Sequence, residues 1–247
     1  MYISANLDQE YRSKLIDLLK EIKDCFAWDY TEMPGLDRSI VEHRLPNKSG
    51  YRPYKQPPQK IFKEEVLDDV KKEVERLLEA NFIRPCRYAE WILGIVLVYK
   101  KATPMDGHPI SVADLLVDAA ASYELISFMD ANGGYNQIFM AIENSSKTAF
   151  RCPSHIGLFE WIVMTFGLKN IGATSQRAMN YIFYELIDKI AENYIDDVVV
   201  MSWNHEGHLA DLRKTLECTR KHGLKMNPNK CAFGVSAGEF LGFLVHK

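Results

Sequence analysis

The sequence predicts an α+β domain in which helices cover one face of an antiparallel sheet. Between residues 122 and 231 the apolar pattern runs strand, helix, hairpin, helix, strand, which is the order of a split βαβ arrangement. Two upstream stretches repeat apolar residues every three or four positions, the spacing of amphipathic helices. The chain has 247 residues, 47% of them hydrophobic, so it can bury a core as one large domain or two small ones.

The first two helices are predicted at residues 8–28 and 66–78, where the apolar side chains share one face. Asn81 follows the second helix and is suited to a left-handed cap. Residues 33–59 between the helices are rich in Pro, Gly, Asn and basic residues, which is typical of an extended connector.

Two strands are predicted next. Residues 92–99 are apolar and β-branched and end at the basic pair Lys100 and Lys101. The second strand covers residues 122–130 and is followed by a sharp glycine-containing turn at 131–134. Asp130 therefore lies at a strand end, where functional sites are commonly built.

The remaining elements surround a hairpin. Residues 167–172 are predicted as a loop, and an apolar stripe from Met179 to Ile190 predicts a helix after it. A further helix is predicted between Asn204 and Gly223, and a short strand after it. The apolar residues assigned to that last strand are Leu224, Met226 and Cys231.

The hairpin between the two helices carries adjacent acids, Asp196 and Asp197, inside a run that otherwise indicates a buried strand. Two acids at this place suit a tight turn with both carboxylates near its tip. Neighbouring carboxylates raise each other's pKa, and a bound divalent cation removes that penalty. The alternative is a plain solvent-exposed Asp-Asp turn.

The composition limits the class of protein. A net charge of −3 and a pI near 6.2 argue against a dedicated nucleic-acid binder, so a binding groove has to be locally basic. The five cysteines are scattered and form no CxxC pair, which predicts free thiols in a reducing compartment. No apolar run approaches the ~18 residues of a membrane span. We therefore expect an intracellular chain, cytoplasmic or nuclear, without a membrane partner.

Five motifs together resemble the reverse transcriptase of gypsy-type LTR retrotransposons, a plant element most of all. The resemblance runs from about residue 26 to the C-terminus. A single Tyr-x-Asp-Asp motif is weak evidence, but five motifs in the family's order are specific. The motifs lie at residues 128–138, 147–150, 166–170, 194–197 and 240–243.

The resemblance implies a right-hand polymerase fold with a ferredoxin-like palm and RNA-directed DNA synthesis. Asp130 and Asp196 would bridge two Mg²⁺ ions, or Mn²⁺ in their place, with a secondary role for Asp197. The carbonyl of Ala131 would be a further metal ligand. The implied partners are an RNA or DNA template with its primer and deoxynucleoside triphosphates.

The resemblance also implies nucleotide and primer contacts. Tyr135 corresponds to the residue that excludes a ribose 2′-hydroxyl, although a plain core aromatic is an equal alternative. The other expected nucleotide-binding residues are Gly134, Phe166, Gly167 and Lys100. Phe240, Leu241 and Gly242 correspond to the primer grip, although their pattern alone predicts a strand.

The predicted segments are an N-terminal helical segment (1–32), an extended linker (33–60), partial fingers (61–125) and the palm with its primer-grip hairpin (126–247). Between Val98 and Pro104 the chain lacks the fingers hairpin that clamps the triphosphate in the family. The thumb and the rest of the polyprotein are absent from the sequence. We expect a palm that keeps its metal carboxylates and is impaired or inactive in polymerisation.

Three alternatives remain at the level of sequence. One is a non-catalytic palm remnant that binds nucleic acid or another partner, and another is an unrelated two-metal enzyme such as a nucleotide cyclase. The basic residues of the last helix, including Arg213 and Arg220, either follow phosphates or form a solvated face. Its His and Cys pairs do not supply the four donors of a structural zinc site.

Overall fold

The computed structural model describes residues 1–47, 50–58, 63–95, 123–240 and 243–246. The chain divides into two compact units, each made of separated stretches. The first contains residues 1–28, 101–134 and 175–247, and the second contains 29–100 and 135–174. Residues 96–99 of the predicted strand, Lys100, the stretch where a shortened fingers region is predicted, Leu241 and Gly242 lie outside the described residues.

Within the described residues the helices are α1 (Gln9–Glu21), α2 (Glu64–Glu79), α3 (Ile142–Ser145), α4 (Ile171–Ile182) and α5 (His205–His222). The strands are β1 (Tyr2–Ile3), β2 (Ile83–Pro85), β3 (Leu93–Gly94), β4 (Leu125–Asp130), β5 (Phe150–Arg151), β6 (Leu158–Trp161), β7 (Ala191–Tyr194), β8 (Asp197–Ser202), β9 (Ala232–Val235), β10 (Ala237–Phe240) and β11 (Phe243–His246).

The first unit is built on a sheet with the order β1-β9-β4-β8-β7, antiparallel except for the β1–β9 pair. The strand order β9-β4-β8-β7 is that of a split βαβ arrangement, in which helices lie in the chain between β4 and the β7–β8 hairpin and between that hairpin and β9. The predicted antiparallel α+β sheet is therefore confirmed. Helix α5 packs on β4 and β8, and α1 packs on α5.

The core of the first unit explains this stacking. The strand residues Val198, Val199 and Val200 are fully buried, as are Leu212 and Leu216 on one face of α5. Burial of such side chains is the main favourable term in folding. The buried apolar face of α5 thus covers the central strands β4 and β8.

Both ends of α5 were predicted and are confirmed. Asn204 Oδ1 accepts a hydrogen bond from the Gly207 N–H at 2.8 Å, which caps the N-terminus. Gly223 ends the helix with φ of +72°, a conformation that favours glycine. Asn81 likewise follows α2 with φ of +57°.

Three predicted boundaries are wrong. Helix α4 begins at Ile171, so it includes part of the expected loop, and it ends at Ile182 instead of Ile190. Beyond it the chain turns through short-range hydrogen bonds such as Leu186 N–H to Phe183 O at 2.8 Å. The predicted strand at residues 224–231 does not form: Met226 makes only isolated β-bridges with Phe26 and Ala131, residues 228–230 form a turn, and β9 starts at Ala232. Pro228 has no N–H to donate to a ladder, which explains the loss of that strand.

The second unit contains a four-stranded sheet with the order β2-β6-β5-β3. Val70 and Val74 of α2 pack against it in a cluster with Ile83, Phe150 and Phe159. Strand β3 pairs with β5 in parallel, so the described part of the predicted 92–99 strand is paired. The described residues from 33 to 58 contain no helix or strand and belong to the second unit.

The five cysteines are free thiols, as predicted. Across the part of the chain that the structure describes, no helix is long and apolar enough to cross a membrane.

Candidate active site

Three acids of the first unit lie at one end of its sheet. Asp130 is the last residue of β4 and is paired in register with Asp197, the first residue of β8. Asp196 occupies the two-residue turn between β7 and β8, together with Ile195. The turn tip is therefore Ile195–Asp196, whereas Asp197 already belongs to the strand. The sequence predicts both acids near the tip, and the structure places Asp196 there and Asp197 at the start of β8.

Burial raises the pKa of all three carboxyl groups, and neighbouring acids raise the pKa of Asp196 and Asp197 further. Burial, followed by the charges of Asp130 and Asp197, raises the pKa of Asp196 to about 7. Burial and then Asp130 raise the pKa of Asp197 to about 6. Burial also raises the pKa of Asp130, against the opposing effect of Lys230. This end of the sheet concentrates negative charge that only a cation or protons can relieve.

Lys230 supplies a cation at this place. Its Nζ lies 3.0 Å from Oδ2 of Asp130. Burial favours the neutral amine, but the acids, Asp130 first, outweigh it and raise the pKa of Lys230. The backbone also docks here, because the Asn227 N–H donates to the Asp130 carbonyl at 2.7 Å. The side chain of Asn227 accepts from the Asn229 N–H at 3.0 Å and fixes the turn that leads to Lys230.

The acids fit a divalent cation. Carboxylate oxygens are the ligands that Mg²⁺ takes in proteins, and an ammonium already neutralises one of them. Within the described ranges, no three His, Cys, Asp or Glu side chains are already gathered as an ion site. Asp130, Asp196 and Asp197 are the residues that could hold such an ion, and Lys230 contacts Oδ2 of Asp130.

The surroundings of Asp196 are closely fitted. The Ala131 N–H donates to the backbone oxygen of Asp196 at 2.8 Å. Ser175 Oγ donates to Asp196 Oδ1 at 3.4 Å. A Cβ added at Gly134 would lie 2.6 Å from Cγ of Asp196 and closer still to Oδ1. Gly134, predicted to bind nucleotide, thus makes room for the carboxylate of Asp196.

Three residues predicted to contact the nucleotide lie in the second unit. Tyr135 is only 4% exposed, and its ring meets that of Phe166 edge to face with centroids 4.9 Å apart. Phe166 is 70% exposed. Gly167 has φ of +85°, so a side chain there would strain the backbone. The exposed ring of Phe166 thus packs on the buried ring of Tyr135.

The second unit also contains an open cavity of about 1150 Å³. Phe166 and Gly167 lie on its wall, with Asn136 and Thr165 beside them. Asn136 Nδ2 donates to the Met164 carbonyl at 3.2 Å, which fixes the turn next to Tyr135.

The predicted primer grip falls at a hairpin. Strands β10 and β11 pair antiparallel, with Phe240 opposite Phe243. Leu241 and Gly242 lie outside the described residues, as does Lys100. Their roles stay predictions.

Contacts of Arg213 and Arg220 favour one of the two alternatives for the basic residues of α5. Arg213 binds Glu21 through two hydrogen bonds of 2.7 and 2.9 Å, and Arg220 pairs with Asp24. Both guanidinium groups are thus engaged by acids at the end of α1 or just after it, which favours a solvated, ion-paired face. His208 is buried, and its two ring nitrogens form hydrogen bonds with Ser127 and Ser202.

Sequence reasoning missed Lys230, Ser175 and Gln176. The turn sequence Asn-Pro-Asn before Lys230 signals a fixed loop, but nothing in it indicates a partner one hundred residues earlier. Ser175 and Gln176 have no local signal, because their partners lie about twenty residues further along the chain.

Comparison with known families gives one match to a family profile. The family is described as reverse transcriptase (RNA-dependent DNA polymerase), and its profile matches residues 94–245.

Curated relatives are polyproteins of transposable elements. The chain is 28% identical over 202 residues to the retrovirus-related Pol polyprotein from transposon gypsy of Drosophila melanogaster, covering 74% of this chain and 19% of that protein. It is 27% identical over 247 residues to the transposon Tf2-3 polyprotein of Schizosaccharomyces pombe, covering 93% and 18% respectively. The chain thus spans less than a fifth of these relatives.

Solved structures with a similar fold are protease–reverse transcriptases of foamy virus. The prototype foamy virus enzyme matches with a TM-score of 0.78 at 17% identity, covering 98% of this chain and 34% of that one. The foamy viral enzyme in complex with double-stranded DNA matches with a TM-score of 0.79 at 17% identity, covering 98% and 45%. The complex with an RNA/DNA hybrid matches with a TM-score of 0.77 at 15% identity, covering 98% and 34%. The predicted fold class is confirmed by these likenesses.

Proposed function

Because the chain belongs to the reverse transcriptase (RNA-dependent DNA polymerase) family, we propose that its palm performs nucleotidyl transfer with two Mg²⁺ ions held by Asp130, Asp196 and Asp197. The observation that carries the proposal is the position of the three acids at one end of the β4–β8–β7 sheet, where Asp130 faces Asp197. When bound, the ions would activate the primer 3′-hydroxyl and steady the triphosphate, a task that Mn²⁺ could also perform.

The protein's own groups prepare the site for cations. At neutral pH the raised pKa values keep Asp196 and Asp197 close to their titration range, so a cation replaces protons at little cost. The Ala131 backbone is tied to that of Asp196, which supports the carbonyl of Ala131 as a further ligand. Asp197 lies directly opposite Asp130, and this position favours a primary role for Asp197 in metal binding over a secondary one.

Nucleotide selection is proposed for the second unit. The buried ring of Tyr135, braced by Phe166, would be the surface that excludes a ribose 2′-hydroxyl. The exposed face of Phe166 and the bare backbone of Gly167 would contact the incoming deoxynucleoside triphosphate. Lys100 would contribute a cation to the triphosphate, and residues 240–242 would hold the primer end.

The partners are proposed from the family. A primer annealed to an RNA or DNA template is the substrate, in keeping with the nucleic-acid complexes of the foamy viral enzymes. The chain would work as part of a retrotransposon polyprotein inside the cell, in the cytoplasm or the nucleus.

Polymerisation by this chain is proposed to be impaired or absent. Lys100 and Lys101 run directly into Ala102-Thr103-Pro104, where the resemblance implies a fingers hairpin with further cations. Cationic clamps on a transferring phosphoryl group contribute on the order of 10³ or more to the rate. Their shortage slows the transfer step and leaves metal binding intact.

Extension of oligo(dT) on poly(rA) with Mg²⁺ tests the proposal. We expect incorporation slower than that of a foamy viral enzyme by a factor on the order of 10³, or none, with any incorporation lost in Asp196→Ala. Extension that survives Asp196→Ala would contradict the metal assignment. Extension at full speed that Asp196→Ala abolishes would contradict the impairment alone.

Binding to the same primer–template distinguishes the non-catalytic alternative. A steep salt dependence that is unchanged when the three aspartates are replaced by Asn, without Mg²⁺-dependent stabilisation of the wild type, would favour a nucleic-acid-binding module.

A further inference from the structure

The turn that carries Asp196 contains a residue in an unfavourable backbone conformation. Ile195 has φ of +55°. In this left-handed region Cβ approaches the following carbonyl, and a β-branched side chain makes the crowding worse. Glycine is the usual residue at such a position in a two-residue hairpin turn. The conformation of Ile195 persists only if other contacts hold it.

Gln176 of α4 makes the contact that holds the turn. Its Oε1 accepts a hydrogen bond from the Ile195 N–H at 2.7 Å. Its Nε2 donates to Oδ1 of Asn193 at 2.6 Å and to Oδ1 of Asn180 at 2.8 Å. Because both acceptors lie on the Nε2 side, the amide can present only its oxygen to Ile195.

The neighbouring residue reaches the carboxylate itself. Ser175 is 2% exposed, and its Oγ donates to Oδ1 of Asp196 at 3.4 Å. Gly134 closes the other side of the same carboxylate, where a Cβ would collide with it. Two consecutive helical residues thus contact two consecutive turn residues, and the carboxylate has little room to move.

We propose that Gln176 is a positioning residue for the metal site. It holds the Ile195–Asp196 turn in its left-handed conformation and thereby sets the place of the Asp196 carboxylate relative to Asp130. The inference rests on the proposed function, since the position of Asp196 matters for metal binding only if the acids hold metal.

A glutamine that served only to stabilise the fold would lower the free energy of unfolding without changing how the folded protein binds metal. The affinity of the folded chain for Mn²⁺, measured by electron paramagnetic resonance with Mg²⁺ as competitor, therefore separates the two roles. Hydrogen exchange of the Ile195 amide reports on the turn in the absence of metal.

The decisive variant is Gln176→Leu, which keeps the size of the side chain and removes the acceptor. We expect exchange at Ile195 to accelerate by about tenfold and Mn²⁺ affinity to weaken by about tenfold. The matched control is Asn180→Ala, which removes one partner of Gln176 and leaves the bond to Ile195. It should change neither quantity by more than about twofold.

A second variant relieves the backbone strain at Ile195 that would make Gln176→Leu fold poorly. Glycine adopts positive φ without strain, so Ile195→Gly in the Gln176→Leu background should restore Mn²⁺ affinity to within about threefold of the wild type. Equal affinities in Gln176→Leu and Asn180→Ala, or a failure of Ile195→Gly to restore affinity, would overturn the inference.

Failure of the proposed function has a different signature. A wild-type chain that binds no Mn²⁺ displaceable by Mg²⁺ would contradict the metal site. The exchange rate of the Ile195 amide then decides the role of Gln176 in the turn: faster exchange in Gln176→Leu alone supports it, and unchanged exchange rejects it.

Discussion

Asp130 and Asp197 stand directly opposite each other on neighbouring antiparallel strands, at the end of the sheet where β7 turns into β8. Like charges in such a cross-strand pair destabilise a sheet. Asp196 adds a third carboxylate from the turn, and Lys230 is the cation that contacts Asp130. The fold therefore keeps an arrangement that costs stability unless a cation or protons relieve it.

The first prediction concerns the pH dependence of stability. The folded-state pKa values of Asp196 and Asp197, about 7 and about 6, lie above the ordinary 3.8. At pH values between the ordinary and the raised pKa values, the native state binds more protons than the unfolded state. These acids therefore make the free energy of unfolding fall as pH rises from about 4 to about 7. Without metal, the double variant Asp196→Asn/Asp197→Asn should be more stable than the wild type at about pH 8, by a few kcal/mol at most.

Urea denaturation of both proteins at a series of pH values measures this difference. The two should approach each other near pH 4, about where the acids are protonated in either state. A difference that stays constant across the range would contradict the raised pKa values. Mg²⁺ should narrow the gap near pH 8, about where the wild-type acids are charged, because it binds only the wild type tightly.

Lys230→Met should reveal the role of the internal cation. Without metal, we expect the free energy of unfolding near neutral pH to fall by about 1 kcal/mol, because the ammonium is partly solvated and its removal leaves Asp130 unpaired. With Mg²⁺, the variant should gain more stability than the wild type gains, because no ammonium competes for Asp130. Thermal unfolding with and without Mg²⁺ checks both statements.

The control for this variant is Lys14→Met, which breaks the exposed ion pair with Glu10. It should respond to Mg²⁺ as the wild type does. An identical Mg²⁺ response in Lys230→Met and Lys14→Met would show that Lys230 does not compete with the ion.

Gly134→Ala should displace the carboxylate of Asp196. The added Cβ would collide with that carboxylate, so we expect a loss of about 1–3 kcal/mol in unfolding free energy. Removing the carboxylate should remove the collision. In a double-mutant cycle, Gly134→Ala should therefore cost much less in an Asp196→Ala background. Additive effects would contradict the close fit of Gly134 against Asp196.

His208 supports the sheet below the acids. Ser202 donates to Oδ2 of Asp211 at 2.9 Å, so it must accept from Nδ1 of His208, and Nε2 then accepts from Ser127 at 2.7 Å. Burial lowers the pKa of His208 to about 4. Replacing it with Leu leaves two buried serines short of a partner and should cost about 2–4 kcal/mol.

Urea denaturation checks this loss, with the more exposed His222→Leu as a control that should change stability by less than about 0.5 kcal/mol. The sign of the pH effect is opposite to that of the acids. Below the ordinary pKa of 6.5, His208 is protonated in the unfolded state and stays neutral in the folded state. This residue therefore makes the free energy of unfolding fall as pH drops toward about 4. The Asp196→Asn/Asp197→Asn protein should show this slope clearly, and His208→Leu added to it should remove the slope.

The elements that sequence could predict are those with signals at their ends. Helix α5 lies between Asn204 and Gly223, and α2 ends before Asn81, so both ends of α5 and the C-terminal end of α2 follow from capping chemistry. Helix α4 ends at Ile182 with no Gly or Pro to mark it, while its apolar stripe continues into buried turn residues such as Phe183 and Leu186. Periodicity alone could not separate helix from turn there.

The candidate site likewise has a part that the sequence predicts and a part that it does not. The three acids lie in sequence motifs that predict metal binding, and the order of the strands brings them to one end of the sheet. The contacts of Gln176 and Lys230 could not be predicted, because they depend on how distant parts of the chain pack. The collision that Gly134 avoids is likewise a property of the folded chain, since the glycine by itself signals only a turn.

The metal assignment is tested most directly by counting the Mn²⁺ ions that bind each protein, by electron paramagnetic resonance at about pH 8, where the acids are charged. We predict that the wild type binds Mn²⁺ that Mg²⁺ displaces, and that this binding is lost in Asp130→Asn and in Asp196→Asn and kept in the exposed control Asp17→Asn. Binding of equal strength and number in all four proteins would contradict the assignment.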